Sequence, residues 1–177
     1  MNIKDKRKLV FGLCAVAVLA VVLIVCFSSK CSNTPPEIIE TPEQLYKSIT
    51  LNIDNTGDEA VKELKNNVNS NKSIDDLKYQ TKTWIDYIKQ MTNTIKNDML
   101  LNLGKDKYSD DELDEAGIFG MSGSEIIALR DQYTQTLDSK CSEQVDKVIK
   151  EFERIAKQKG YSGVDAAVSE LRAYAAI

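Results

Sequence analysis

The sequence predicts an all-α protein, with a single N-terminal transmembrane helix followed by an extracytoplasmic domain of four-helix-bundle type. Three observations carry that expectation. The amino terminus holds a long run without a charge, the rest of the chain carries apolar stripes at helical spacing with their own end signals, and no segment shows the two-residue alternation of a half-buried strand.

The first eight residues form a basic tail with Lys4, Lys6, Arg7 and Lys8 against Asp5. Leu9 to Phe27 (LVFGLCAVAVLAVVLIVCF) follows without a charged residue. At 1.5 Å per residue it would span roughly 28 Å, which matches the hydrocarbon layer of a bilayer. A cleaved signal peptide has a shorter apolar region of about 7–15 residues and a small-x-small cleavage site, whereas Cys26, Phe27 and Ser28 make a poor one. Nor does a lipobox fit, because Leu13, Val25 and Lys30 precede Cys14, Cys26 and Cys31. The basic tail places the amino terminus in the cytoplasm and residues 31–177 on the other side. With no ionisable group inside it, the helix cannot by itself carry an ion or a proton.

Residues 28–41 read as a spacer. The stretch Ser32 to Pro42 (SNTPPEIIETP) holds every proline of the chain among polar residues and suits a semi-rigid link. The helical domain then occupies 42–177. Its first helix begins with Thr41 as N-cap, Pro42 in the first turn and Gln44 as capping-box partner, and Leu45, Ile49 and Ile53 keep helical spacing. Asn52 to Gly57 (NIDNTG) is expected to bend it before a second piece, Asp58 to Val68, with Val61, Leu64 and Val68 on one face.

The second long helix starts at Ser73, with Asp75 and Asp76 opposing the positive end of the helix dipole, and ends near Gly104. Its stripe runs Ile74, Leu77, Thr81, Trp84, Ile85, Ile88, Met91, Ile95 and Met99. Trp84 reads as a core anchor, whose truncation to alanine would cost about 3–5 kcal/mol. Lys105 to Gly123 is irregular and carries six carboxylates between Asp106 and Glu115. It is not an EF-hand loop, since Tyr108 and Asp111 stand where an oxygen ligand and a glycine are needed. It reads instead as a solvated acidic loop with one turn capped by Ser109 and Glu112, whose Ile118, Phe119 and Met121 tuck against the bundle. The longest helix opens at Ser122 with Glu125, carries Ile126, Arg130, Tyr133, Leu137, Cys141, Val145, Val148, Phe152 and Ile155, and closes at Gly160. Arg130 on that face either snorkels or forms a buried ion pair with a carboxylate of the preceding loop or helix. A last helix is expected from Ser162 with Asp165 as box partner, its inner side Val164, Ala167, Val168, Leu171 and Tyr174.

Charge and composition exclude several functions. The whole chain has 23 basic and 27 acidic residues; without Lys4, Asp5, Lys6, Arg7, Lys8 and Lys30, residues 31–177 keep 18 and 26, a net charge of −8. A phosphate backbone needs a basic face, so no nucleic acid partner is expected. Histidine is absent, which removes the commonest general base and imidazole metal sites. No nucleophile–base pair, metal cluster or phosphate loop can be assembled, so the chain is expected to be no enzyme and to use no cofactor or metal. Cys14 and Cys26 read as small apolar residues of the span. Cys31 and Cys141 either pair within the chain, pair between protomers or stay as thiols, and their spacing does not decide among these.

Trp84 to Met99 (WIDYIKQMTNTIKNDM), the glycine-bearing loop, Gly123 to Leu137 (GSEIIALRDQYTQTL) and Gly163 to Ala173 (GVDAAVSELRA), behind a basic tail and one span, resemble a known family. They are similar to the amino-terminal portion, transmembrane helix plus first periplasmic helical domain, of the M subunit of the gliding-motility and type IX secretion motor. That family's chains continue into several β-rich domains. The resemblance implies a bacterial inner-membrane protein whose single helix packs in a bundle with a two-span, ion-conducting partner and whose outer domain dimerises or contacts periplasmic components. The expected function is a noncatalytic, membrane-anchored structural or interaction subunit, or accessory, of such a machine. Two alternatives share the topology: an anchored helical sensor or binding module, and a phage inner-membrane spanin. The glycine-rich break at 104–123 interrupts the heptads a spanin would need.

Overall fold

The computed structural model describes residues 41–176, and every regular element among them is helical. The basic tail 1–8, the expected span 9–27, Cys31 and all of the spacer but Thr41 lie outside the described residues. Among the described residues no helix is long and apolar enough to cross a membrane.

Helix α1 runs Pro42–Asn66, α2 Ile74–Asn102, α3 Leu113–Ala116, α4 Gly123–Gln158 and α5 Val164–Ala175. The three long helices begin where their caps predict. Thr41 Oγ1 accepts from the Gln44 amide while the Gln44 side chain accepts from the Thr41 amide. Ser73 accepts from the Asp76 amide, and Ser122 and Glu125 close a capping box on α4. Each bond satisfies an amide that the first helical turn would otherwise leave unpaired.

Long-range contacts set the directions. Tyr133 Oη donates to the Pro42 carbonyl at 2.6 Å, Gln144 Nε2 to Asp54 at 2.7 Å, and Lys147 pairs with Asp58, so α4 runs parallel to α1. Arg130 reaches Leu103, and Lys96 reaches Asp138 at 2.5 Å, so α2 runs antiparallel to α4. Helix α5 turns back along α4 and α2, with Arg172 on Asp146 and Glu170 on Lys78 and Lys82.

The core falls into two clusters. One holds Ala60, Leu64, Leu77, Ile85, Ile88, Val148, Phe152, Ile155 and Leu171 and is enclosed by all four of α1, α2, α4 and α5. The other holds Leu45, Ile49, Ile53, Ile95, Met99, Leu103, Leu113, Ile126 and Leu137. Here only three long helices surround the core, and the connection 103–122 closes its end.

The structure corrects three expectations. Helix α1 does not bend at Asn52–Gly57 and is continuous from Pro42 to Asn66. Gly57 serves close packing instead, because a Cβ there would lie 2.1 Å from Gln144 Oε1 and 2.8 Å from Gln144 Cβ. Helix α5 is not opened by a Ser162–Asp165 box. Its N-cap is Gly163, left-handed at φ 73°. The link carries a left-handed glycine at each end, Gly160 and Gly163, which starts the helix one residue later, with Val164 turned onto the core.

The third correction concerns Trp84, which is half-buried at the margin of the four-helix core and stands edge-on to Tyr87 with ring centroids 5.6 Å apart. Successive residues of a helix lie 100° apart, so Trp84 and Ile85 cannot both face the core squarely. Ile85 takes the centre, and the inner line of α2 is Leu77, Thr81, Ile85, Ile88, Thr92, Ile95 and Met99.

Candidate functional site

Two features stand out against the apolar packing. The first is a polar layer between the two core clusters, to which every long helix contributes at the same level: α1 supplies Asp54, Thr56 and Gly57, α2 supplies Thr92, and α4 supplies Lys140, Cys141 and Gln144. Thr56 and Thr92 return their hydroxyl protons to Asn52 and Ile88 of their own helices, both at 2.8 Å. Gln144 is 3% exposed and donates Nε2 to Asp54 Oδ1 at 2.7 Å. Lys140 Nζ donates to both Asp54 oxygens at 3.2 Å. That bond to Asp54 raises the Lys140 pKa above the ordinary lysine value.

Gln144 Oε1 faces Gly57 and accepts no hydrogen bond from the described residues. Turning the amide over would aim this oxygen at the Asp54 carboxylate, two acceptors without a proton between them, so the orientation is fixed by Asp54. The layer joins α1 to α4, with the Asp54 carboxylate accepting from both Gln144 and Lys140.

The second feature is the end closed by residues 103–122. Arg130 donates Nε and Nη2 to the Leu103 carbonyl at 3.1 and 2.7 Å, and its Nη1 lies 3.7 Å from Asp110. It thus caps the negative end of α2 and meets a carboxylate of the following loop at the same time. Its guanidinium side chain is 13% exposed. Ser109 and Glu112 form a capping box, and the two bonds from Ser109 lower the Glu112 pKa; Ser122 does the same for Glu125. Leu113 is fully buried, whereas Tyr108, Ile118, Phe119 and Met121 are only partly so. Phe119 sits at φ 53°, ψ 16° between left-handed Gly117 and Gly120. A bulky residue seldom adopts this conformation, which costs of order 1 kcal/mol or more.

Trp84 and Arg130 therefore lie in different halves of the helical domain, and Cys141 lies half-buried beside the polar layer, unpaired among the described residues, while Cys31 lies outside them. Sequence reasoning missed Asp54, Gly57 and Gln144. A signal was present: each long helix interrupts its stripe with small or polar residues for about one turn, at Thr56–Gly57, Thr92 and Cys141–Gln144. Among the described residues there is no group of three or more acidic, cysteine or histidine side chains placed to hold a metal. The depressions between Leu45, Ile49, Ile95 and Met99 of α1 and α2, and along Gln132, Thr136 and Lys140 of α4, are shallow and open to solvent. No family model, curated protein or solved structure matches the chain.

Proposed function

We propose that the protein is a noncatalytic, membrane-anchored interaction subunit or accessory of an inner-membrane machine of the motor or secretion type. In this reading residues 9–27 form the single anchoring helix and the α-helical domain is its extracytoplasmic part, a bundle of four-helix type. The observation that carries it is the uncharged run of nineteen residues from Leu9 to Phe27 behind a basic tail. The domain supports it by its construction: charged side chains are spent on joining helices, and its surface depressions are shallow. Such a domain is suited to holding a shape against a neighbour. The resemblance to the motor M subunit supplies the class of machine.

The test is fractionation followed by cross-linking. The full-length chain should stay with the membranes after alkaline and high-salt washing. It should also cross-link through residues 9–27 to another integral membrane protein. Release of a shortened soluble product would overturn the anchor, and an anchored chain cross-linked only to lipid would overturn the subunit role.

A further inference from the structure

The two ends of the helical domain differ in what they leave exposed. At the end of the four-helix half the loops are tied by polar bonds: Tyr161 Oη donates to the Asn71 carbonyl at 2.9 Å, and Asn71 Nδ2 donates to Gln80 at 3.2 Å and to the Asn67 carbonyl at 3.1 Å. At the other end Leu101, on the last turn of α2, is 56% exposed, and Tyr108, Ile118, Phe119 and Met121 of the connection that follows are partly exposed. Gly104, whose amide bonds to the Leu101 carbonyl at 2.9 Å, lies against both Ile118 and Tyr108. Phe119 keeps its ring there in a left-handed backbone conformation that a glycine would adopt without strain.

Charge narrows what can cover this surface. Residues 104–125 contain Lys105 and Lys107 against Asp106, Asp110, Asp111, Glu112, Asp114, Glu115 and Glu125. Some of these carboxylates serve the fold, Asp110 on Arg130, Asp114 on the Gly123 amide, Glu112 and Glu125 in capping boxes. Asp111 and Glu115 are exposed and pair with nothing among the described residues. A second copy would bring two acidic rims together, and an anionic membrane surface would repel this one. We infer that this end docks a partner protein whose contacting surface is apolar at its centre and lysine- or arginine-rich at its rim. The inference deepens the interaction-subunit reading and rests on it for the class of partner.

The test uses the full-length chain in the cells that carry it, with a photo-cross-linking amino acid at Leu101 and, as control, at Tyr79, which is 66% exposed in the other half. The Leu101 probe should give a protein adduct whose cross-linked peptide holds apolar residues flanked by lysine or arginine. Its yield should fall roughly fivefold or more with Asp111→Lys and Glu115→Lys together, and by a similar factor with Phe119→Gly. Neither variant should shift the melting temperature by more than a few degrees, because both rim residues are unpaired and Phe119→Gly relieves the left-handed backbone while removing a partly buried ring. Equal yields at Leu101 and Tyr79, adducts to lipid, adducts to a second copy, or a yield indifferent to charge reversal would each overturn the inference. Membrane retention is measured on the same cells. Loss of retention with the adduct intact sinks the anchor alone, and retention without the adduct sinks this surface alone.

Discussion

The four-helix half and the three-helix half solve one problem in two ways. In the first, α5 lays Val164, Ala167 and Leu171 over the seam between α2 and α4, and the core around Phe152 is closed by a regular element on every side. In the second, Lys96 and Asp138 bridge that seam, and an irregular connection wraps the end over Leu103, Leu113 and Ile126. A helix satisfies its own backbone polar groups, whereas an irregular cover must borrow partners from side chains. Arg130, Asp114, Glu112 and Glu125 provide them. The lesson is that a loop closes a core at the expense of local stability, and the polar layer at Asp54 and Gln144 separates the half that bears this expense from the half that does not.

The largest test of the contrast compares two buried truncations. Phe152→Ala should cost about 3–5 kcal/mol and lower the melting temperature by more than about 10 °C, because it opens a cavity where four helices meet. Leu113→Ala should cost less, about 2–3 kcal/mol, since an irregular segment can settle into the gap. Hydrogen exchange separates them: the Leu113 variant should expose the amides of Ile126 to Arg130 well before those of Val148 to Ala156. Uniform acceleration across α4 would show that the halves open as one unit.

The layer between them is tested by Gly57→Ala. A methyl group there meets Gln144 Oε1 and Cβ, so the substitution should destabilise by about 1–3 kcal/mol despite the better helix propensity of alanine. In a Gln144→Ala background the same change should cost less than half as much, read by urea unfolding as a coupling between the two positions. Additive effects would mean that the close approach is not between these two residues.

Much of the architecture could be read in the sequence because helix ends are local. Thr41 with Gln44, Ser73 with Asp76, and Ser122 with Glu125 each act within one turn, so spacing alone locates them. The same holds for the Ser109–Glu112 turn inside the acidic loop. What could not be read depends on a second helix. Gly57 looks like a breaker until α4 is placed against it, and Ser162 looks like a cap until Gly163 turns Val164 onto the core. The polar layer is a property of three helices in register. Arg130 drew notice on its stripe, yet its main partner, the Leu103 carbonyl, is backbone and leaves no trace in a side-chain pattern.

Trp84 gives a smaller and more telling effect. On the stripe alone its truncation would rank with that of Phe152, but the ring is only partly buried, so Trp84→Ala should cost about 2–3 kcal/mol, less than Phe152→Ala. Thermal melting of the two variants side by side checks the ranking. A loss as large as that of Phe152→Ala would restore tryptophan to the centre of the four-helix core.

The smallest expected effect concerns the attachment of α5. Glu170 takes hydrogen bonds from Lys78 at 2.8 Å and Lys82 at 2.7 Å, which hold its carboxyl down to about 2. Lys78 is correspondingly raised by its bond to Glu170. A carboxylate whose pKa is lower folded than unfolded stabilises the fold above its ordinary value near 4.5, and that contribution fades as pH falls from there toward about 2. The lysine's share has the opposite limits, present below its ordinary value of 10.5 and lost as pH rises beyond it. Glu170→Gln should therefore melt slightly below wild type at pH 7 and converge with it near pH 2. High salt should shrink the difference at pH 7, since the side chain is 48% exposed and screened by water and ions. Faster hydrogen exchange confined to α5 at neutral pH would place the loss on the four-helix half. If the gap between variant and wild type persists at pH 2, Glu170 acts by packing, and the two lysines are not what fastens α5 to α2.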